Sequence, residues 1–193
     1  MSILFEKFKS LNIDYNLICL EQQENKLQYF CYPVNAIPIG YEQTIMYCFI
    51  EPYGDMVFAV NPDPATDKFV YPLAKTFEDF ISLVLACGSP NPAEQVIWMS
   101  KEKFESFVQE EAEARTDKHK DVLVALEKEM GLAPMESPYE YVKTVQADFD
   151  ESLIEYSDEY YEVLGLTDRQ LDIEFPARSI CYETEIEVCI CHE

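Results

Sequence analysis

The chain has 193 residues, 48% of them hydrophobic, and 37 acidic against 14 basic side chains give a net charge of −23 with neutral histidines. That length fits one domain with a core large enough to need no disulfides, and the lack of an apolar run of about 18 residues argues against a membrane-spanning helix. So large a negative excess also argues against nucleic acid and anionic lipid as partners, since both are gripped through basic residues.

Taken in chain order, residues 1–11 read as a short amphipathic helix on Ile3, Leu4, Phe8 and Leu11, without the basic start and small-residue cleavage site of a secretory signal. Strand-like runs follow at 15–20 and 27–32, joined by a polar stretch suited to a hairpin. Residues 44–51 are a third strand, rich in β-branched and aromatic residues. Pro52-Tyr53-Gly54-Asp55 is a turn signal, 56–60 a fourth strand and 69–71 a short fifth, after a proline-containing loop. Thr76 is placed to cap a helix whose apolar face is Phe77, Phe80, Ile81, Val84 and Leu85, and Gly88 to end it. That face must bury against the preceding sheet.

From Pro92 to Met130 the pattern is helical. Ala93 to Met99 is largely apolar, with Trp98 read as core rather than as a stacking platform. Ser100 caps the next piece, with Phe104, Phe107 and Val108 on its buried side. Asp117 is placed to cap a helix through Val122, Leu123, Leu126 and Met130. Ser137-Pro138-Tyr139-Glu140 has the form of a capping box with proline at the first helical position. The final 58 residues, from Glu136, carry a net −13 of the total charge, yet they include Tyr156, Tyr160, Tyr161, Phe175 and Tyr182, unlike an aromatic-poor disordered tail. Alternation over 179–190 predicts a half-buried strand.

The expected fold class is α+β: an antiparallel sheet packed against helices, in a single domain over 1–193 with additional C-terminal strands. Within it, 1–88 supply sheet plus helix, 89–147 a helical section and 148–193 an acidic section with strands. Seven scattered cysteines, Cys19, Cys31, Cys48, Cys87, Cys181, Cys189 and Cys191, read as reduced thiols, and hence a cytoplasmic location.

Signatures of covalent catalysis are missing. There is no G-x-S-x-G elbow, no Walker or dinucleotide-binding glycine motif, and His119 and His192 are the only histidines. His119, in a charged helix start, reads as a solvated surface residue rather than a general base. Cys189-Ile190-Cys191-His192 has zinc-ligand chemistry, but Cys-x-Cys on a strand lacks the turn that zinc knuckles use, so no metal or other cofactor is assigned. Asp148, Asp150 and Glu151 invite a second reading, a metal-dependent hydrolase using clustered carboxylates; the plainer one is a solvated acidic turn. Tyr156-Ser157-Asp158-Glu159-Tyr160-Tyr161-Glu162 interleaves tyrosines with acids, which suits either a basic protein partner or an ordinary amphipathic helix with half-buried tyrosines.

One stretch carries a family pattern. Ile37-Pro38-Ile39-Gly40, the strand at 44–51, the turn at Gly54-Asp55, the strand at 56–60, and Val70-Tyr71-Pro72-Leu73-Ala74-Lys75-Thr76-Phe77-Glu78-Asp79-Phe80-Ile81 together resemble the SUKH superfamily. Ala74, Thr76, Phe77, Asp79, Phe80 and Ile81 match the element that leads into its helix. The resemblance spans residues 37–87, about a quarter of the chain. It implies a mixed α+β fold without an active site; many bacterial members are immunity proteins that neutralise toxins, often nucleases, and others are regulators or adaptors.

Charge and resemblance together predict a non-enzymatic, acidic protein-binding domain that neutralises a basic toxin or nuclease. Its partner-binding residues are expected at Asp148, Asp150, Glu151, Tyr156, Asp158, Glu159, Tyr160 and Glu162. The alternatives are the hydrolase above and a regulatory adaptor.

Overall fold

Strands β1 (Ala36–Glu42), β2 (Ile45–Ile50), β3 (Val57–Val60) and β4 (Val70–Ala74) form an antiparallel meander in which each pairs with the next. The computed structural model describes residues 3–23 and 28–166; the strand predicted over 179–190 and the trio Cys189, Cys191 and His192 lie outside them. Pairing of Tyr47 with Ala59, Cys48 with Phe58 and Phe49 with Val57 sets which side chains share a face. Tyr47, Phe49, Val57, Ala59, Tyr71 and Leu73 enter one core. Met46, Cys48, Ile50, Phe58, Val60 and Val70 enter a second on the opposite face. With both faces covered, the strands are continuous apolar runs rather than alternating ones.

The first core is closed by helices, as an α+β architecture requires. α1 (Ile3–Lys9) contributes Phe5 and Phe8, while Ile3, expected on the apolar face, points into solvent. α2 (Phe77–Cys87) lays Phe77, Phe80, Ile81 and Val84 against the sheet. The Thr76 hydroxyl accepts the Asp79 N–H at 3.1 Å, the predicted cap, and the Tyr141 hydroxyl donates to the Asp79 carboxylate at 2.7 Å. Four further helices, α3 (Asn91–Gln95), α4 (Lys101–Ala114), α5 (Asp117–Met130) and α6 (Pro138–Ala147), make up the predicted helical section.

The C-terminus of α2 ends at Gly88 with φ +88°, where a Cβ would stand 2.4 Å from Arg115 Nη2. Arg115 Nη2 donates to the Cys87 carbonyl at 2.6 Å, and His119 Nε2 lies 2.8 Å from the Gly88 carbonyl oxygen. Both side chains complete carbonyls that the helix leaves unpaired, at its negative end. His119 is therefore not the solvated residue expected; it is half-buried against α2. Gly88→Ala is expected to cost about 2 kcal/mol in urea denaturation, half from the left-handed backbone and half from displacing the guanidinium. Gly131, at φ +70° with no atom within 4 Å of its would-be Cβ, isolates the backbone part, so Gly131→Ala should lose only that half.

Several local expectations are corrected. Residues 15–20 hold a 3-10 turn (Tyr15–Ile18), because the Asp14 carboxylate accepts the Asn16 N–H at 3.2 Å and rolls the chain into an Asx turn. Glu21 then meets the sheet as an isolated bridge to Tyr41. Residues 28–32 are turn rather than strand; the Tyr32 N–H goes to the Tyr29 carbonyl, and Cys31 and Tyr32 are apolar cover for the second core. β1 was unexpected as a strand because Pro38 and Gly40 interrupt its pattern. It lies at the sheet edge with a register shift between those two residues, where proline is tolerated. Gly40 is needed there, since a Cβ would lie 2.8 Å from the Leu20 backbone.

Two caps also differ. Thr116, not Asp117, accepts the His119 N–H at 3.3 Å; Ser137 makes no side-chain cap, and Glu140 pairs with Lys101 rather than completing a capping box. α3 stops at Gln95, so Trp98 falls beyond it and is 46% exposed instead of core. Among the described residues no helix is long and apolar enough to cross a membrane.

Candidate functional site

The acidic segment begins where α6 ends. Phe149 turns inward against the rings of Tyr53 and Phe58, each with its centroid 5.3 Å away. The Tyr53 hydroxyl donates to the Asp150 carbonyl at 2.7 Å and accepts the Leu153 N–H at 3.1 Å, fastening the turn at both ends. Ile154 is buried in the second core, and the Val34 N–H donates to the Glu155 carbonyl at 2.9 Å. A last helix, α7 (Asp158–Val163), then places Tyr160 flat on Tyr156, with centroids 3.8 Å apart and planes 8° from parallel. Tyr160 also meets Phe30 and Phe69, both at 6.2 Å.

Phe149, Ile154, Tyr156 and Tyr160 are thus the inward side of a cover on the second sheet face. Asp148, Asp150, Glu151, Glu155, Asp158, Glu159 and Glu162 are the outward side, all exposed. The segment is an amphipathic helix with half-buried tyrosines and an acidic outer face; Tyr156 and Tyr160, expected at the partner surface, turn toward the second core. Sequence reasoning missed Glu155, which is exposed in the same segment. Leu153, Val163, Leu164 and Val34, each exposed, lend this side apolar surface as well.

The electrostatics are one-sided. Residues 148–166 contain no lysine or arginine, and the ion pair described for this segment is Glu151 with Lys68 at 3.0 Å. The Ser152 N–H donates to Asp150 Oδ1 at 3.0 Å and holds that carboxyl below the usual aspartate range. A general acid needs the opposite shift. Among the described residues, no group of three or more His, Cys, Asp or Glu side chains is arranged to hold a metal ion. What seven outward carboxylates can do is set up a field that draws in cationic surfaces.

A second polar cluster escaped sequence reasoning altogether. Glu94 of α3 is 3% exposed, and its Oε1 accepts from the Tyr71 hydroxyl and, at 2.8 Å, from Asn61 Nδ2. Glu42, at the end of β1, accepts from the Tyr47 hydroxyl at 3.1 Å and from Asn91 Nδ2 at 2.8 Å. Burial raises the Cys19 thiol to about 12, with neighbouring Glu42 adding to the effect, so this cysteine is an unreactive thiol. The available signal was Glu94 itself, one acid set in the apolar run from Pro92 to Met99.

The chain matches no family model, and no curated protein or solved structure is significantly similar to it.

Proposed function

We propose that this chain is a non-enzymatic binding protein that holds a basic protein against the acidic face of 148–162, in the manner of an immunity protein blocking a toxin or nuclease. The observation that carries the reading is the anchoring of that face. Its carboxylates stand on a segment clamped by Phe149, Ile154, Tyr156 and Tyr160, so they are arranged before a partner arrives. A surface ordered in advance loses little entropy on binding, and an excess of like charge accelerates encounter with an oppositely charged partner. Exposed Leu153 and Val163 would supply apolar contact beside the charges. The SUKH resemblance over residues 37–87 supports the same reading from another part of the chain.

The reading is tested by capturing partners on the immobilised protein from a lysate of the cells that make it, with washes at low and then high salt. A basic protein retained in stoichiometric amount and released by high salt is the expected result. A stoichiometric acidic partner that resists salt would overturn the basic-partner reading in favour of a regulatory adaptor.

A further inference from the structure

Glu94 is a buried carboxylate surrounded by donors that carry no charge. Its hydrogen bonds come from a phenol on β4, Tyr71, and from a carboxamide just past β3, Asn61. The groups facing it from the other elements are Tyr47 on β2 and Glu42 on β1, the latter adding repulsion. Asn91 of α3 bonds Glu42 and itself accepts from Gln95; Cys19 neighbours Glu42 and bonds Ser89, and Glu111 of α4 adds its negative charge near Cys19. None of the ion pairs among the described residues involves Glu94 or Glu42. A lone buried charge is costly, and a carboxyl relieves that cost by binding a proton.

We infer that Glu94 is a proton-operated latch between α3 and the ends of β3 and β4: with its proton bound the junction is seated, and with the proton lost α3 loosens from the sheet. Burial raises the Glu94 carboxyl above its ordinary 4.5, and the bonds from Tyr71 and Asn61 oppose that rise only in part. An opened α3 exposes Glu94 to water, where it ionises in the ordinary glutamate range, while the seated form keeps its proton to higher pH. The latch is therefore at full strength below about pH 4.5 and weakens as pH rises, until Glu94 has ionised in the seated form too. Over that window one proton changes the opening equilibrium by up to about tenfold per pH unit. The stretch that follows α3 carries Trp98, the single tryptophan of the chain, whose backbone N–H donates to the Gln95 carbonyl at 3.3 Å.

The test uses the full chain and two readouts. Carbon-detected NMR follows the Glu94 carboxyl against the exposed carboxylates of the same molecule, and hydrogen exchange follows the α3 amides from pH 4 to 8 in wild type and Glu94→Gln. The latch requires Glu94 to titrate above the exposed glutamates. It also requires α3 opening to grow with pH in wild type and to stay flat in Glu94→Gln, with Trp98 emission tracking the difference. Titration of Glu94 together with the surface carboxylates would overturn it, as would the same pH-dependent opening in both proteins. Should Glu94→Gln not fold, the wild-type titration and the pH dependence of wild-type α3 exchange decide together: opening that does not grow with pH as Glu94 ionises would overturn the latch.

Discussion

Phe58→Ala is expected to destabilise the protein by about 3–5 kcal/mol, a large share of the roughly 5–15 kcal/mol typical of a domain. Phe58 is fully buried on the second face of the sheet and packs on Tyr53 at 5.2 Å and Phe149 at 5.3 Å. Truncation removes its apolar burial and leaves a cavity between a strand and a segment with no ladder to hold it. Because Phe149 and the Tyr53 hydroxyl together fasten the start of the acidic segment, the loss should spread outward. Protease cleavage within 148–157 should therefore rise well before global unfolding. Phe149→Ala should cost less, about 2 kcal/mol, since that ring is only half-buried. The two substitutions share a contact, so the double variant should fall short of their sum by about 0.5–1.5 kcal/mol. Urea denaturation of the four proteins measures the energies, and limited proteolysis measures the local opening. A loss below about 1 kcal/mol for Phe58→Ala would mean that the second core contributes little, and that the acidic segment is not held as described.

The sheet-to-helix unit was the most legible part of the sequence, and the reason is local agreement. In 44–60 the β-branched and aromatic run, the Pro-Tyr-Gly-Asp turn and the return strand all point one way, and Thr76 and Gly88 mark both ends of α2 by their own side-chain and backbone chemistry. β1 was hidden because an edge strand can carry a proline and a bulge, which read locally as a break. The turns at 15–18 and 28–32 were read as strands because aromatic and aliphatic residues signal burial before they signal a ladder. Of the candidate surface, the acids were visible as composition. What composition could not show is that Phe149, Ile154, Tyr156 and Tyr160 cover a sheet face, a fact that depends on contacts with Phe58, Phe69 and Phe30 far off in the chain. Glu94 was illegible for the same reason, since its partners Tyr71 and Asn61 are 23 and 33 residues away.

Replacing Asp158, Glu159 and Glu162 together by serine should slow association with a basic partner by about tenfold or more at low salt, with a smaller effect on dissociation. All three are exposed on α7, and none of the described ion pairs uses them, so folding should be little affected. The same substitution leaves Tyr156, Tyr160 and the core beneath them in place. Serine also suits this short helix poorly, so circular dichroism and the urea midpoint serve as controls for its integrity.

The central claim is that an acidic face, fixed on the second side of the sheet, draws in a basic protein. Its most direct test is the association rate constant of the captured partner, measured by stopped flow from about 10 mM to about 1 M salt, as the Debye length falls from about 30 Å to about 3 Å. The account predicts a steep fall for the wild-type protein, a shallow one for the triple serine variant, and convergence of the two at the highest salt. Equal rates for the two proteins at low salt would contradict it.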